Sequence, residues 1–328
     1  MIFLKKPLII LTGPTAVGKT KLSISLAKAV NGAIISADSM QVYRHMDIGS
    51  AKIRPEEMCG VPHYLIDVLD PSEEFHVVKF VELAHEAMEK IYAAGQIPIV
   101  TGGTGFYIQA LLKEVDFTES HGKLSIRKQL EEKAATEEGA AELYRELSEI
   151  DPASAETIHP NNVKRVIRAL EYYHETGQKI SEHNEEQKQK ESPYCSAYFV
   201  LNDERSILYD RIDRRVDQMI CDGLVDEVFR LKEMGYTRDL VSMQGLGYKE
   251  LFPYLAGECT LEEAVYIIKR DTRHFAKRQL TWFRREKDVI WLNKPDFDYD
   301  EEKILSYMLD RWNEIVSADA KEEGEQSC

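Results

Sequence analysis

The stretch Pro7-Leu-Ile-Ile-Leu-Thr-Gly13-Pro-Thr-Ala-Val-Gly18-Lys19-Thr20 starts as an apolar run and turns at glycine. It continues into Lys21–Ala29, where Leu22, Leu26 and Ala29 recur at helical spacing. Strand, loop and helix in that order are the context that a phosphate-cradling P-loop requires of Gly13, Pro14, Thr15, Ala16, Val17, Gly18, Lys19 and Thr20. The glycines let backbone N–H groups close around an anion, and the helix amino end adds positive potential. Lys19 supplies a point charge, and Thr20 a hydroxyl for Mg²⁺. Which phosphate is held stays open, because a nucleoside triphosphate such as ATP and an isoprenoid diphosphate present the same oxygens.

Outward from this stretch, Ala33-Ile-Ile-Ser-Ala37 ends at Asp38, and Gln96-Ile-Pro-Ile-Val100 ends at Thr101-Gly-Gly-Thr-Gly105 before an apolar helix through Ile108 and Leu112. Phe75 to Ala94 has helical periodicity. Strands alternating with helices predict an α/β fold, a P-loop NTPase-like parallel sheet flanked by helices. The carboxyl ends of such strands share one rim, so the loops after Thr12, Ala37 and Val100 are expected to meet. From Thr118 to Pro193 the texture changes to Glu, Lys, Ala and Gln, with breaks at Asp151-Pro152, His159-Pro-Asn-Asn162 and Gly177, which predicts an all-helical insertion. Strand-like Tyr194–Leu201 returns to the sheet, one long amphipathic stretch runs from Glu204 to Met234, and Val289–Leu292 is the last strand. The expected organisation is a catalytic core of residues 1–117 and 194–317, an insertion of 118–193, and a disordered acidic tail of 318–328.

With 328 residues, 43% hydrophobic and 30% charged, the chain can bury a large core, which excludes disordered and fibrous classes. Forty-two Lys and Arg against 57 Asp and Glu leave −15, which argues against a general nucleic-acid coat but permits a local basic face. Lys269-Arg270, Arg273-His274, Lys277-Arg278 and Arg284-Arg285 offer one. On a helix Arg270, Arg273, Lys277 and Arg284 fall near one side, and Ile268, Phe275 and Trp282 on a side that can pack. A second cluster is Lys164-Arg165 with Arg168, for which pairing with Glu171 and Glu175 is the ordinary account. The five cysteines are scattered without a CxxC pair, so neither a disulfide framework nor a zinc site is indicated, and a reducing cytoplasm fits. No apolar run approaches a membrane span.

Asp38 follows a buried strand and admits three roles: Mg²⁺ ligand, general base, or cap of the next segment. Thr104 stands in a glycine-rich turn that is either structural or functional. Asp67 after Tyr64-Leu-Ile66 resembles a Walker B strand end, but before Pro71 it reads rather as a solvated loop carboxylate. Asn293-Lys294-Pro295-Asp296 matches the NKxD pattern with which GTPases read guanine, but no Asp has a Gly three residues on, so it reads as a chance turn.

Taken together the blocks Gly13–Thr20, Ser36-Ala-Asp-Ser-Met-Gln-Val-Tyr43, Met46-Asp-Ile-Gly-Ser-Ala-Lys52, Gly102-Gly-Thr-Gly-Phe-Tyr107, Ile158-His-Pro-Asn-Asn162, Arg165-Val-Ile-Arg-Ala-Leu-Glu171, Gly245-Leu-Gly-Tyr248 and Ala276-Lys-Arg-Gln-Leu-Thr-Trp282 resemble the bacterial tRNA dimethylallyltransferases. The resemblance runs in order from about residue 8 to 292. It implies transfer of a dimethylallyl group from dimethylallyl diphosphate to the exocyclic amine of the adenine just 3′ of the anticodon, in tRNAs reading codons that begin with U. It further implies that Gly13–Thr20 hold the diphosphate with Mg²⁺ on Thr20, that Arg211 and Arg215 add charge there, that Asp38 is the general base, and that Thr104 binds a diphosphate oxygen. Contacts to tRNA are implied for Asp38, Ser39, Met40, Gln41, Lys164, Arg165, Arg168, Gln244, Gly247, Tyr248, Lys249, Arg273, Lys277, Arg278 and Gln279. Gln244-Gly245 and His274 depart from the family's pattern, which leaves the cradle and Asp38 untouched. A monomer is expected from the family.

The chemistry fits. An adenine amine is a poor nucleophile and needs a carboxylate to take its proton, while the leaving diphosphate needs fixed positive charge. Two readings compete. A small-molecule or nucleotide kinase shares the P-loop and an inserted helical lid, with Arg165 and Arg168 as lid arginines. A nucleotide-switched RNA-binding module lacks its sensor motif in this sequence.

Overall fold

A computed structural model describes residues 5–115 and 124–326. In it β1 (Lys6–Thr12) leads through the P-loop into α1 (Lys19–Val30), followed by β2 (Gly32–Ala37), a short β3 (His63–Tyr64), α2 (Val77–Ala93), β4 (Ile97–Gly102) and α3 (Gly105–Leu112). The helices α4 (Leu124–Lys133), α5 (Glu137–Ile150), α6 (Pro152–Thr157), α7 (Val163–Thr176) and α8 (Ile180–Gln189) come next. Then β5 (Tyr194–Asn202), α9 (Arg205–Cys221), α10 (Leu224–Glu233), α11 (Leu251–Leu255), α12 (Leu261–Phe283), β6 (Ile290–Asn293) and α13 (Glu301–Gln326) complete the chain.

The six strands are all parallel, in the order β3-β2-β4-β1-β5-β6. Both faces are covered, which is why β1 is a continuous apolar run rather than an alternating one. Leu8 and Ile10 pack into one layer with α2 residues Phe80, Ala84 and Met88. Ile9 and Leu11 pack into the other with Leu22 and Leu26 of α1 and Ile304, Met308 and Trp312 of α13. Each such fully buried side chain contributes about 1.5–3 kcal/mol. Thr12 pairs opposite both Gly102 and Val200, and Ala37 opposite Gly102, so β1, β2 and β4 finish level. That registry carries β4 past Val100 to Gly102 and brings three loops to one rim.

Two expectations change. The stretch Glu204–Met234 is two helices, because Gly223 at φ +99° takes the left-handed conformation that stops α9 and starts α10 in a new direction. Residues 318–326, expected to be disordered, continue α13. Ile304, Met308, Trp312 and Val316 bury one stripe of that helix, and a helix already anchored propagates at one hydrogen bond per residue. Residues 327 and 328 lie outside the described residues.

The chain divides into two compact units, Lys113–Ser192 and the remainder. The expected boundary at residue 118 falls within 116–123, outside the described residues. The smaller unit has its own core of Leu130, Leu143, Leu147, Val166, Ile167 and Leu170. Its polar centre is buried Asp151, which accepts from Ser154 N (3.1 Å) and Oγ (2.7 Å) and from Ser181 N (3.0 Å) and Oγ (2.6 Å), joining α6 to α8. Burial works against its ionised form, but these hydrogen bonds outweigh burial and hold its pKa below the usual range. Replacing Asp151 by Ala strands four donors and is expected to destabilise this unit by about 2–4 kcal/mol; amide hydrogen exchange of α6 and α8 in the full chain should accelerate while β1 and β4 keep their protection.

Candidate active site

The P-loop is folded by sterics before any ligand arrives. Gly13 has φ +145°, and a Cβ there would overlap the carbonyl of Leu201. Ala16 (φ 63°) and Gly18 (φ 99°) take left-handed conformations, and the fully buried Val17 side chain anchors the loop between them. Gly18 precedes α1, which has no acidic residue in its first turn and no side-chain cap, so its amino-terminal N–H groups face an anion site. Lys19 Nζ donates to the carbonyls of Gly13 (2.9 Å) and Pro14 (2.8 Å). Burial pushes its pKa down to about 7, nearby Arg215 acts in the same direction, and Asp38 opposes both. Thr20 is exposed, and its hydroxyl makes no hydrogen bond among the described residues.

Asp38 stands at the end of β2. Its Oδ1 accepts from Met40 N (2.8 Å) and more weakly from Gln41 N (3.4 Å), so it caps the following turn. Its Oδ2 makes no hydrogen bond among the described residues and is left for other work. Burial lowers the pKa of Arg215, and Asp38 opposes that shift too, so one carboxylate serves two cations. Of the half-buried Ser39, Met40 and Gln41, the last is tied down: its Oε1 accepts from Ser36 Oγ (3.0 Å). Met40 packs so closely on Gly245 that a Cβ there would overlap its methyl group. Thr104 N donates to Ala37 O (3.3 Å), which sets the turn after β4 against β2, and the Thr104 hydroxyl makes no hydrogen bond among the described residues.

Gln279 was expected on the tRNA side. It is instead buried, its Oε1 accepting from Thr15 N (2.9 Å) and its Nε2 donating to Gly103 O (2.9 Å). Gly103 has no room for a Cβ beside that amide. One side chain of α12 therefore joins the P-loop to the Gly102–Gly105 turn. No sequence signal announced this, since an amide on a basic helix reads as surface.

Tyr248 is a second correction. Its ring is fully buried, and its hydroxyl donates to Glu227 Oε1 (2.7 Å). Glu227, only 2% exposed, also accepts from the backbone N–H groups of Asp47 (3.0 Å), Ile48 (2.8 Å) and Gly49 (3.1 Å). A Cβ on Gly49 would lie 2.5 Å from the Tyr248 ring. Gly247 is also buried, donating to Glu250 Oε2 (2.8 Å), and within the Gln244–Lys249 segment Gln244 is exposed and Lys249 partly so.

The cations differ in whether a carboxylate holds them among the described residues. Arg273 Nη1 bonds both carboxylate oxygens of Asp213 (2.5 and 2.7 Å) and so ties α12 to α9. Arg211 pairs with buried Asp203 (2.6 Å). Arg168 and Arg127 converge on buried Glu171 (3.2 and 3.3 Å), the ordinary account of the first of them. Lys277 and Arg278 are exposed, and with His274, Thr281, Trp282 and Arg285 they line a groove of about 520 Å³. Lys164 and Arg165 are exposed on α7. Asp67 lies in a loop and pairs with Lys52 (2.5 Å). Among the described residues no cluster of His, Cys, Asp and Glu could hold a metal ion, and no helix is long and apolar enough to cross a membrane.

Comparison with known proteins adds a family to this geometry. The family described as IPP transferase matches residues 41–286. A Lachnoclostridium phytofermentans protein named tRNA dimethylallyltransferase is 66% identical over 93% of this chain and 96% of its own. One of the same name from Acetivibrio thermocellus is 51% identical over 92% and 96%. The crystal structure of a tRNA isopentenylpyrophosphate transferase from Bacillus halodurans superposes with a TM-score of 0.73 at 45% identity, covering 96% of this chain and 100% of that one. A eukaryotic dimethylallyltransferase described as acting on tRNA gives 0.77 at 35% identity, covering 88% and 74%.

Replacing Gln279 by Met keeps the volume but leaves Thr15 N–H and Gly103 C=O without their partner. The expected cost is about 1–3 kcal/mol in stability, together with weakened binding of inorganic pyrophosphate, which a urea melt and titration calorimetry would read.

Proposed function

This chain belongs to the IPP transferase family, and on that premise we propose that its P-loop holds dimethylallyl diphosphate while Asp38 takes the proton of the amine that attacks it. The enzyme transfers a dimethylallyl group to tRNA, as the names of relatives spanning 93% and 92% of the chain state for those proteins, and the kinase reading is set aside. The observation that carries the residue assignment is that Asp38, one oxygen of which makes no hydrogen bond among the described residues, lies near enough to the P-loop's Lys19 and to Arg215 for its charge to act on both.

The acceptor is the exocyclic amine of the adenine 3′ of the anticodon, in tRNAs that read codons beginning with U. As its nitrogen bonds the allylic carbon, the carbon–oxygen bond to diphosphate breaks and the electron pair leaves on the diphosphate. The amine's proton passes to Asp38 Oδ2. Lys19, the amides of Gly13–Thr20, Arg215 and the Thr104 hydroxyl stabilise the charge developing on the leaving group. The exposed Thr20 hydroxyl, which makes no hydrogen bond among the described residues, would hold Mg²⁺. When bound, it adds positive charge against the departing diphosphate.

A base stacked in an anticodon loop cannot reach a rim pocket, so it must be flipped out. Lys277, Arg278 and Arg285 along the α12 groove supply phosphate contacts to hold it there, and Lys164 and Arg165 are the exposed cations that the insertion by itself offers to tRNA phosphates. Arg273 and Arg168 contribute less, since carboxylates already hold them. We place the reaction in the cytoplasm with the enzyme as a monomer; the free thiols of Cys59, Cys195, Cys221 and Cys259 suit a reducing compartment.

Asp38→Asn should lower the transfer rate by about 10²- to 10⁴-fold with tRNA affinity unchanged. Retention of most of the rate in a nucleoside assay would remove Asp38 from the base's role. Lys19 gives a pH signature. Its pKa in the free protein is about 7, and a bound diphosphate favours the ammonium, so binding takes up a proton. Affinity should fall by up to about tenfold per pH unit as the pH rises above about 7. Lys19→Arg, whose guanidinium stays charged, should flatten that slope in calorimetric titrations.

A further inference from the structure

Asn293-Lys294-Pro295-Asp296, read from the sequence as a chance turn, ends β6 on the same carboxyl rim as the P-loop. Its two base-reading positions are spent on the turn itself. Asn293 Nδ2 donates to Asp296 Oδ2 (3.0 Å), and Asn293 Oδ1 accepts from Asn202 Nδ2 (3.0 Å). The lysine between them is different. Lys294 is only 8% exposed, and its Nζ lies 2.9 Å from where a Cβ of Gly18 would stand. We propose that Lys294 is a further diphosphate-binding residue, gripping the anion from the Gly18 end of the P-loop.

Two independent observations point there. The first is the amino end of α1, whose first turn carries no acid and whose N-cap offers no side-chain hydrogen bond. The second is the ammonium itself. An ammonium carries three donors, and that of Lys294, on a side chain whose residue is mostly buried, makes no hydrogen bond and has no carboxylate within 4.0 Å among the described residues, which leaves all three for an anion. The nearby acids are taken: Asp203 by Arg211 (2.6 Å) and Glu301 by Lys21 (2.7 Å). Burial, and after it the charge of Arg211, lower the Lys294 pKa, and an incoming anion would relieve both. Lys19 covers the Gly13–Pro14 end of the same loop, so the two lysines bracket the cradle. Inorganic pyrophosphate and a prenyl diphosphate present the same oxygens to this pair.

The inference rests on the diphosphate reading of the P-loop, and the experiment separates the two. The full chain is titrated calorimetrically with inorganic pyrophosphate and Mg²⁺, comparing wild type with Lys294→Gln and Lys294→Met, the latter keeping most of the stem's packing. Both variants should weaken pyrophosphate binding by about tenfold or more. Melting temperatures should be held, because Lys294 makes no hydrogen bond or ion pair among the described residues whose loss would cost stability. In transfer assays KM for dimethylallyl diphosphate should rise alike while KM for tRNA stays put. Wild-type protein that binds no pyrophosphate overturns both readings. Wild-type binding that both variants leave within about threefold overturns the role of Lys294 alone, as does a parallel rise in KM for tRNA.

Discussion

At the carboxyl edge of the sheet there is no room for side chains between the loops, and the site depends on that. Gly13 lies against the Leu201 carbonyl, Gly102 against that of Ala37, and Gly103 against the Gln279 amide; a Cβ at any of the three would overlap its neighbour. Backbones that approach so closely bring polar groups out of water, and each must find a partner. Thr12 Oγ1 donates to Gly102 O (2.7 Å), Thr104 N to Ala37 O (3.3 Å), and Gln279 serves Thr15 and Gly103. The P-loop and the turn bearing Thr104 are therefore tied to each other by hydrogen bonds at close backbone approach, and fixed groups of this kind are what charge stabilisation in a transition state requires.

Glu227 plays the same part on the other side of Asp38. A buried carboxylate is tolerated when its oxygens are fully used, and this one accepts three backbone N–H groups and the Tyr248 hydroxyl. It fixes the Asp47–Gly49 loop to α10 and to the Gly245–Tyr248 segment, which in turn packs on Met40, two residues from Asp38. Burial, reinforced by Glu227, pushes the Tyr248 hydroxyl well above its ordinary pKa, so it stays a donor.

The net charge of −15 does not describe the P-loop, because many of the acids are already paired with cations elsewhere. Lys19, Arg215 and Lys294 gather at the loop, and Lys277, Arg278 and Arg285 along one groove. Many acids are consumed in holding other cations, as Asp213 holds Arg273 and Asp217 holds Lys269 (2.6 Å). Pairing of this kind is what a count of charges on a helix cannot show.

The strand–loop–helix start, the parallel sheet, the helical insertion and the rim positions of Asp38 and Thr104 were all legible in the sequence, because each follows from local periodicity, glycine placement and the rule that parallel strands end on one rim. The break at Gly223 and the helix through 318–326 were misread, since amphipathic spacing survives a break and an acidic stretch can still extend a packed helix. Tyr248, Gln279, Arg273 and Lys294 took their roles from partners 21, 264, 60 and 276 positions away along the chain. The sequence by itself determined which groups could do the chemistry and which edge of the sheet they share, because bond geometry and hydrophobic period act over a few residues. Only the tertiary structure decided which polar side chains face substrate and which are spent holding the rim together, because that depends on burial and on partners the chain brings back from far away.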